Sequence, residues 1–93
     1  MEFLVRLEFS FPDLDRDRII SDERAMTADL RRAGKLQRLW RDPARNGNWS
    51  LWNVKDADEL HALFAALPAF PYLRNLKVHP LASHPVDPGV SAS

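Results

Sequence analysis

The sequence predicts an α+β fold of four strands and two helices in the order βαββαβ. Three observations carry it: a period-two apolar alternation at the N-terminus, two segments whose apolar residues recur every three to four positions, and a turn between two Trp-bearing runs in the middle of the chain.

Each element has its own warrant. In residues 2–9, Phe3, Val5, Leu7 and Phe9 fall on one side and Arg6 and Glu8 on the other, which is a half-buried strand. Pro12 ends it, having no N–H for a ladder. A helix is expected from Asp15 to Ala33. Asp13 or Asp15 would cap it, Ile19, Ile20, Met26, Leu30 and Ala33 would form its buried stripe with Glu23 on or beside them, and Gly34 suits the position just past its end. Residues 36–42 and 48–54 read as a hairpin around Pro43 to Gly47. Asp56 and Glu59 have capping-box spacing, so a second helix starts there, buries Leu60, Leu63, Phe64 and Leu67, and is closed by Pro68. Pro68-Ala-Phe-Pro-Tyr72 reads as a proline-bracketed loop, and a last strand runs from Leu73 to Leu81.

Two βαβ halves of this length fold most simply as a ferredoxin-like sandwich: a four-stranded antiparallel sheet with both helices on one face. Residues 1–84 form this single domain. The tail 85–93, with Pro85, Pro88, Gly89 and small residues, is expected to be flexible or to lie on a neighbouring subunit. The helix-free sheet face would carry Leu4, Arg6 and one of the sets Trp49/Leu51 or Ser50/Trp52, as an interface or a pocket wall.

Composition narrows the function. A chain of 93 residues buries only about 60–65% of its unfolded surface. Its 45% hydrophobic content, with three Trp and five Phe, is a large apolar supply for so small a volume, so association into a homo-oligomer is expected. Thirteen acids balance thirteen bases, which gives no field to attract nucleic acid or an anionic membrane. No apolar run approaches the roughly 20 residues of a membrane span, and the N-terminus opens on a strand pattern rather than a leader, so a cytoplasmic protein is expected. There is no Cys, and His61, His79 and His84 are scattered without an i,i+4 pair, so no metal site is expected. With only three glycines, no phosphate-binding loop or nucleophile elbow is present. Proton transfer without a cofactor, ligand binding, or assembly remain.

Several side chains are candidates. Glu23 is either a boundary residue paired with Arg24 or Arg31, or a desolvated carboxylate suited to general-base work. Arg41 beside Trp40 is either a strand-edge charge or a fork for a ligand carboxylate. Asn48, Ser50 and Asn53 are either solvent-side residues or donors to a carbonyl or enolate oxygen. His61 sits at the edge of a helical stripe, as a packed residue or a catalyst. Trp40, Trp49, Trp52, Phe70 and Tyr72 line either a core and interface or an apolar pocket.

The chain also resembles a known family. Asp22-Glu23, Leu30, Gly34-Lys35-Leu36 and Leu39-Trp40-Arg41 are similar to the first helix and second strand of muconolactone Δ-isomerases. Asn48-Trp49-Ser50 and Glu59-Leu60-His61 follow in the same order, and Leu67-Pro68-Ala69-Phe70-Pro71-Tyr72 with His84-Pro85 is the most specific piece. The resemblance spans residues 3–87. It implies a ferredoxin-like subunit of a large homo-oligomer, commonly a decamer and at least a dimer, with pockets at subunit contacts. It also implies a cofactor-free shift of the C=C bond in muconolactone to give 3-oxoadipate enol-lactone, in the catechol branch of aromatic breakdown. In that reading Glu23 is the base, Arg41 binds the substrate carboxylate, and Asn48, Ser50 or His61 serves the oxyanion, with Trp40, Trp52, Phe70 and Tyr72 around the ligand. The chain departs from the pattern where Ile19, Ile20 and Ser21 stand in place of a Lys and Trp49 in place of a Tyr, which points toward a related isomerase acting on a bulkier or less charged lactone. Lactone methylisomerases and dehalogenases, a small dimeric α+β barrel monooxygenase, and a non-catalytic binding or assembly domain are the other readings.

Overall fold

The computed structural model describes residues 1–44 and 47–87. Its elements are β1 (Glu2–Phe9), α1 (Arg16–Arg32), β2 (Leu36–Arg41), β3 (Asn48–Asn53), α2 (Ala57–Ala65), a short 3₁₀ turn (Phe70–Tyr72) and β4 (Leu73–Leu81). The strands form one antiparallel sheet in the order β2-β3-β1-β4, which is the expected ferredoxin-like arrangement.

Register decides which residues meet. Phe3 pairs with Trp52, Val5 with Ser50 and Leu7 with Asn48, so this alternate set shares one face. Leu36 pairs with Trp52 and joins it. Onto that face α1 brings Leu30, and α2 brings Leu60 and Phe64, forming a core with Leu67 and Val54. The Trp52 and Phe64 rings meet edge-on, with centroids 5.1 Å apart. The sequence left open which strand-three set faces the helices, and the register assigns Ser50 and Trp52 to the core and Trp49 and Leu51 to the open face.

The element ends show how local chemistry was used. Gly34 takes φ +77° just past α1, where its N–H bonds Arg31 O at 3.1 Å and that of Lys35 bonds Leu30 O at 3.0 Å. Asp56 caps α2 by accepting from Glu59 N at 2.9 Å. The Glu59 carboxylate reaches back to Lys55 N at 3.2 Å and also holds Lys35 Nζ at 2.8 Å. At α1 the expected cap is corrected. Asp15 occupies the cap position without a side-chain cap bond, and its carboxylate lies 3.7 Å from Arg18 instead. Ala33, expected in the buried stripe, is exposed past the end of α1, and α2 stops at Ala65, before Pro68.

The helices cover the middle of the sheet and leave β4 open. Leu76 and Val78, which pair with buried Leu7 and Val5, remain 38% exposed. The start of the expected tail is an exposed turn in which His84 and Asp87 bridge, and residues 88–93 lie outside the described residues. Among the described residues no helix is long and apolar enough to cross a membrane. Truncating Phe64→Ala should remove the partner of Trp52 and cost about 3–5 kcal/mol. Urea unfolding should show this as a lowered midpoint, with loss of the near-ultraviolet dichroism of Trp52.

Candidate active site

The site begins with a shortage of hydrogen-bond acceptors. Pro68 and Pro71 have no N–H. In the segment they bracket, Phe70 N bonds Leu67 O at 3.0 Å and Tyr72 N bonds Ala69 O at 2.9 Å. Only the N–H of Ala69 remains, and Ala69 is fully buried. A buried donor needs a partner. It donates to Glu23 Oε2 at 3.0 Å, from a residue 46 positions away in sequence.

Glu23 is half-buried on α1, and it forms no ion pair with Arg24 or Arg31. Burial pushes its carboxyl above the usual glutamate range, and the Ala69 N–H pulls it partly back. One carboxylate oxygen is thus fixed by the backbone, while the side chain faces a cavity of about 380 Å³ between α1 and the sheet. That volume suits a small organic ligand.

The cavity gathers Trp40, Arg41, Asn48, Ser50 and Trp52 around Glu23. Strand alternation explains the convergence of the polar pair, because Arg41 and Asn48 are cross-strand partners on the helix-facing side of β2 and β3. Trp40 points the other way, pairing with Trp49 and carrying the Arg38 guanidinium 5.1 Å from its ring centroid, so it contributes at the rim. Ser50 has its hydroxyl committed: it accepts from Trp52 Nε1 at 2.8 Å and donates to Val5 O at 3.4 Å. With its one proton used in this way, Ser50 orients Trp52, and Asn48 is the better placed amide donor to a ligand oxygen.

Three candidates stand apart. His61 is exposed on α2 and does not line this cavity, correcting its expected place at a buried edge. Phe70 packs on the hydrophobic core. Tyr72 acts at one remove, its ring 5.9 Å from that of Phe11, which does line the cavity and stacks on Phe9 at 5.4 Å. Sequence reasoning missed Phe11, Ile20 and Thr27 as wall residues. The signal for the last two was present, since Ile20, Glu23 and Thr27 are spaced three and four apart and share one side of a helix.

Comparison with known proteins bears on the family and the fold. A sequence model described as muconolactone delta-isomerase matches residues 1–87. The chain belongs to the muconolactone delta-isomerase family. It is 40% identical over 89 residues to the muconolactone Delta-isomerase of Rhodococcus opacus, covering 91% of this chain and 95% of that one. The enzyme of the same name from Cupriavidus pinatubonensis is 38% identical, covering 91% and 96%. A solved muconolactone isomerase structure superposes with a TM-score of 0.85 at 27% identity, covering 98% of both chains. A 5-chloro-2-hydroxyhydroquinone dehydrochlorinase from Burkholderia phenoliruptrix shares the fold, with a TM-score of 0.68 at 16% identity over 90% of this chain and 96% of that one.

Two outcomes follow from the site geometry. Ser50→Ala should leave the buried Trp52 N–H without an acceptor and cost about 1–3 kcal/mol of stability. Denaturation with Trp emission as the probe measures it. For Glu23, a carboxyl raised by burial binds its proton more tightly when folded, so its contribution favours the fold at low pH and is lost as pH rises through the raised value. Glu23→Gln should therefore gain stability relative to the native protein near neutrality, and the gain should shrink on acidification toward about pH 4. Thermal melts across that range would show the converging curves; a constant gap would contradict the assignment.

Proposed function

We propose that this isomerase moves the C=C bond of muconolactone, or of a lactone of the same chemistry, by proton transfer on Glu23 without a cofactor. The observation that carries the proposal is the half-buried Glu23 carboxylate, with one oxygen held by Ala69 N–H and a ligand-sized cavity in front of it.

The free Glu23 oxygen takes a proton from the sp³ ring carbon of the lactone. The C–H bond breaks and its electron pair enters the conjugated system, ending as charge on the carbonyl oxygen. Asn48 donates to that oxygen, and Arg41 holds the carboxylate arm. The proton on Glu23 then returns to the carbon next to the carbonyl, so the double bond has moved and the base is regenerated. A carboxyl whose affinity for the proton is raised by burial is better matched to taking and returning it than an ordinary surface glutamate. The aromatic and aliphatic walls exclude water from the dienolate.

The same proposal includes the setting. The apolar residues left at the surface, including Leu39, Trp40, Leu76, Val78 and Leu81, support a homo-oligomer, with the decamer as the expected form. Copies packed there would narrow the cavity mouth. The place of action is the cytoplasm, in the catechol branch of aromatic breakdown. His61, exposed on α2 and away from this cavity, has no role in the step.

The test is an ultraviolet assay of lactone isomerisation. Glu23→Gln should lower kcat by roughly 10²- to 10⁴-fold, while the variant still binds the lactone. In the native protein kcat/KM should fall on acidification, with a midpoint above the ordinary glutamate range, because only the carboxylate is a base. Undiminished turnover in Glu23→Gln would remove the proposed base.

A further inference from the structure

We propose that the Thr27 hydroxyl is a second hydrogen-bond donor to the lactone carbonyl oxygen, reaching it from α1 while Asn48 reaches it from the sheet. This deepens the proposed function and rests on it for the reaction.

Two hydroxyl groups line the cavity of Glu23, those of Ser50 and Thr27. They differ in what holds them. The Ser50 hydroxyl donates to Val5 O and accepts from Trp52 Nε1. Among the described residues, the Thr27 side chain has no hydrogen-bond partner. Thr27 is half-buried, and Leu36, Leu39 and Leu67 share the wall with it. A hydroxyl drawn from water into apolar surroundings needs a partner to offset the loss. Thr27 therefore offers the cavity an uncommitted donor. Helix propensity does not account for it, since a β-branched residue inside α1 is a poorer helix former than the neighbouring Ala25 and Ala28.

Placement supplies the second observation. Thr27 follows Glu23 by four residues, so the two side chains stand on one side of α1, about 6 Å apart along the axis. Asn48 faces the same cavity from β3. Arg41 and Asn48 also line an outer hollow of about 570 Å³ that includes Arg16, whereas Thr27 lines only the cavity of Glu23. Thr27 thus does not compete for the arm held at Arg41. A carbonyl oxygen has two lone pairs, so it accepts one donor from the sheet and one from the helix. As Glu23 takes the ring proton, charge grows on that oxygen. A donor fixed there in advance stabilises the charged dienolate more than the neutral lactone. The hydroxyl keeps its own proton throughout, and the proton returned to carbon is the one carried by Glu23. The carbonyl is common to all lactones, whatever the bulk or charge of the arm, so the contact serves the whole class.

The test is Thr27→Val, which keeps the shape and removes the hydroxyl, beside Thr27→Ser, which keeps the hydroxyl. Thr27→Val should lower kcat roughly 100-fold with little change in KM, and Thr27→Ser should recover most of the rate. The urea midpoint of Thr27→Val should not fall, because no group of the fold depends on the hydroxyl. Tetronate, a stable lactone anion whose charge is shared with its carbonyl oxygen, should bind Thr27→Val at least about tenfold more weakly than the native protein. Unchanged kcat in Thr27→Val, with turnover still dependent on Glu23, would overturn this inference and leave the isomerase reading intact. Equal losses of rate in Thr27→Val and Thr27→Ser, with a lowered urea midpoint in both, would overturn it in favour of a packing role. Thr27-dependent binding of tetronate without turnover of any lactone by the native protein would support the donor and overturn the reaction.

Discussion

The backbone N–H of Ala69 is the pivot of this molecule. It lies fully buried in a segment whose two prolines have no donors and whose other donors are satisfied within the turn. Its one acceptor is a carboxylate from a different helix, 3.0 Å away. That bond ties the loop before β4 to α1, and it fixes the rotamer of the residue that faces the cavity. It also sets a balance in Glu23: burial raises the affinity for a proton and the N–H lowers it. Without this bond the ionised carboxylate would have nothing here to offset its burial. With it, one oxygen is structural and the other is available for chemistry.

The charges around the site are sorted by the sheet. Neighbouring residues of a strand point to opposite faces. On the open face Arg6 is bound by Glu8 and Asp42 and lies over Trp49, while Arg41 turns to the helix side beside Asn48. The register thus separates Asp42 from the Arg41 beside it in sequence and leaves the Arg41 guanidinium at the hollow with Asn48. The hairpin turn helps. A Cβ at Gly47 would come within 2.5 Å of Leu7 O, so only glycine lets this turn approach β1 so closely. The result is a neutral protein with a locally positive hollow.

Much of this was legible in the chain. The alternation of Phe3, Val5 and Leu7, the stripe of Leu60 and Phe64, the Asp56–Glu59 cap and Gly34 each report a local rule, and each element formed as read. The cluster of Glu23 with Arg41 and Asn48 was also anticipated, because the motifs carrying the family resemblance include those residues. What failed were edges and environments. Asp15 has cap chemistry but turned to Arg18, since an adjacent cation competes with the helix end for a carboxylate. His61 lies one residue past buried Leu60, and that one step of helical rotation exposes it.

Sequence alone determined the order of elements, the faces that must be buried and the residue types available for proton transfer, because periodicity, caps and proline positions act within a few residues. It did not determine that Ser50 and Trp52 rather than Trp49 and Leu51 face the helices, that Ala69 donates to Glu23, or that Arg16 lines a hollow with Arg41. Those are consequences of strand register and of contacts between residues far apart in the chain, and only the packed tertiary structure decides them.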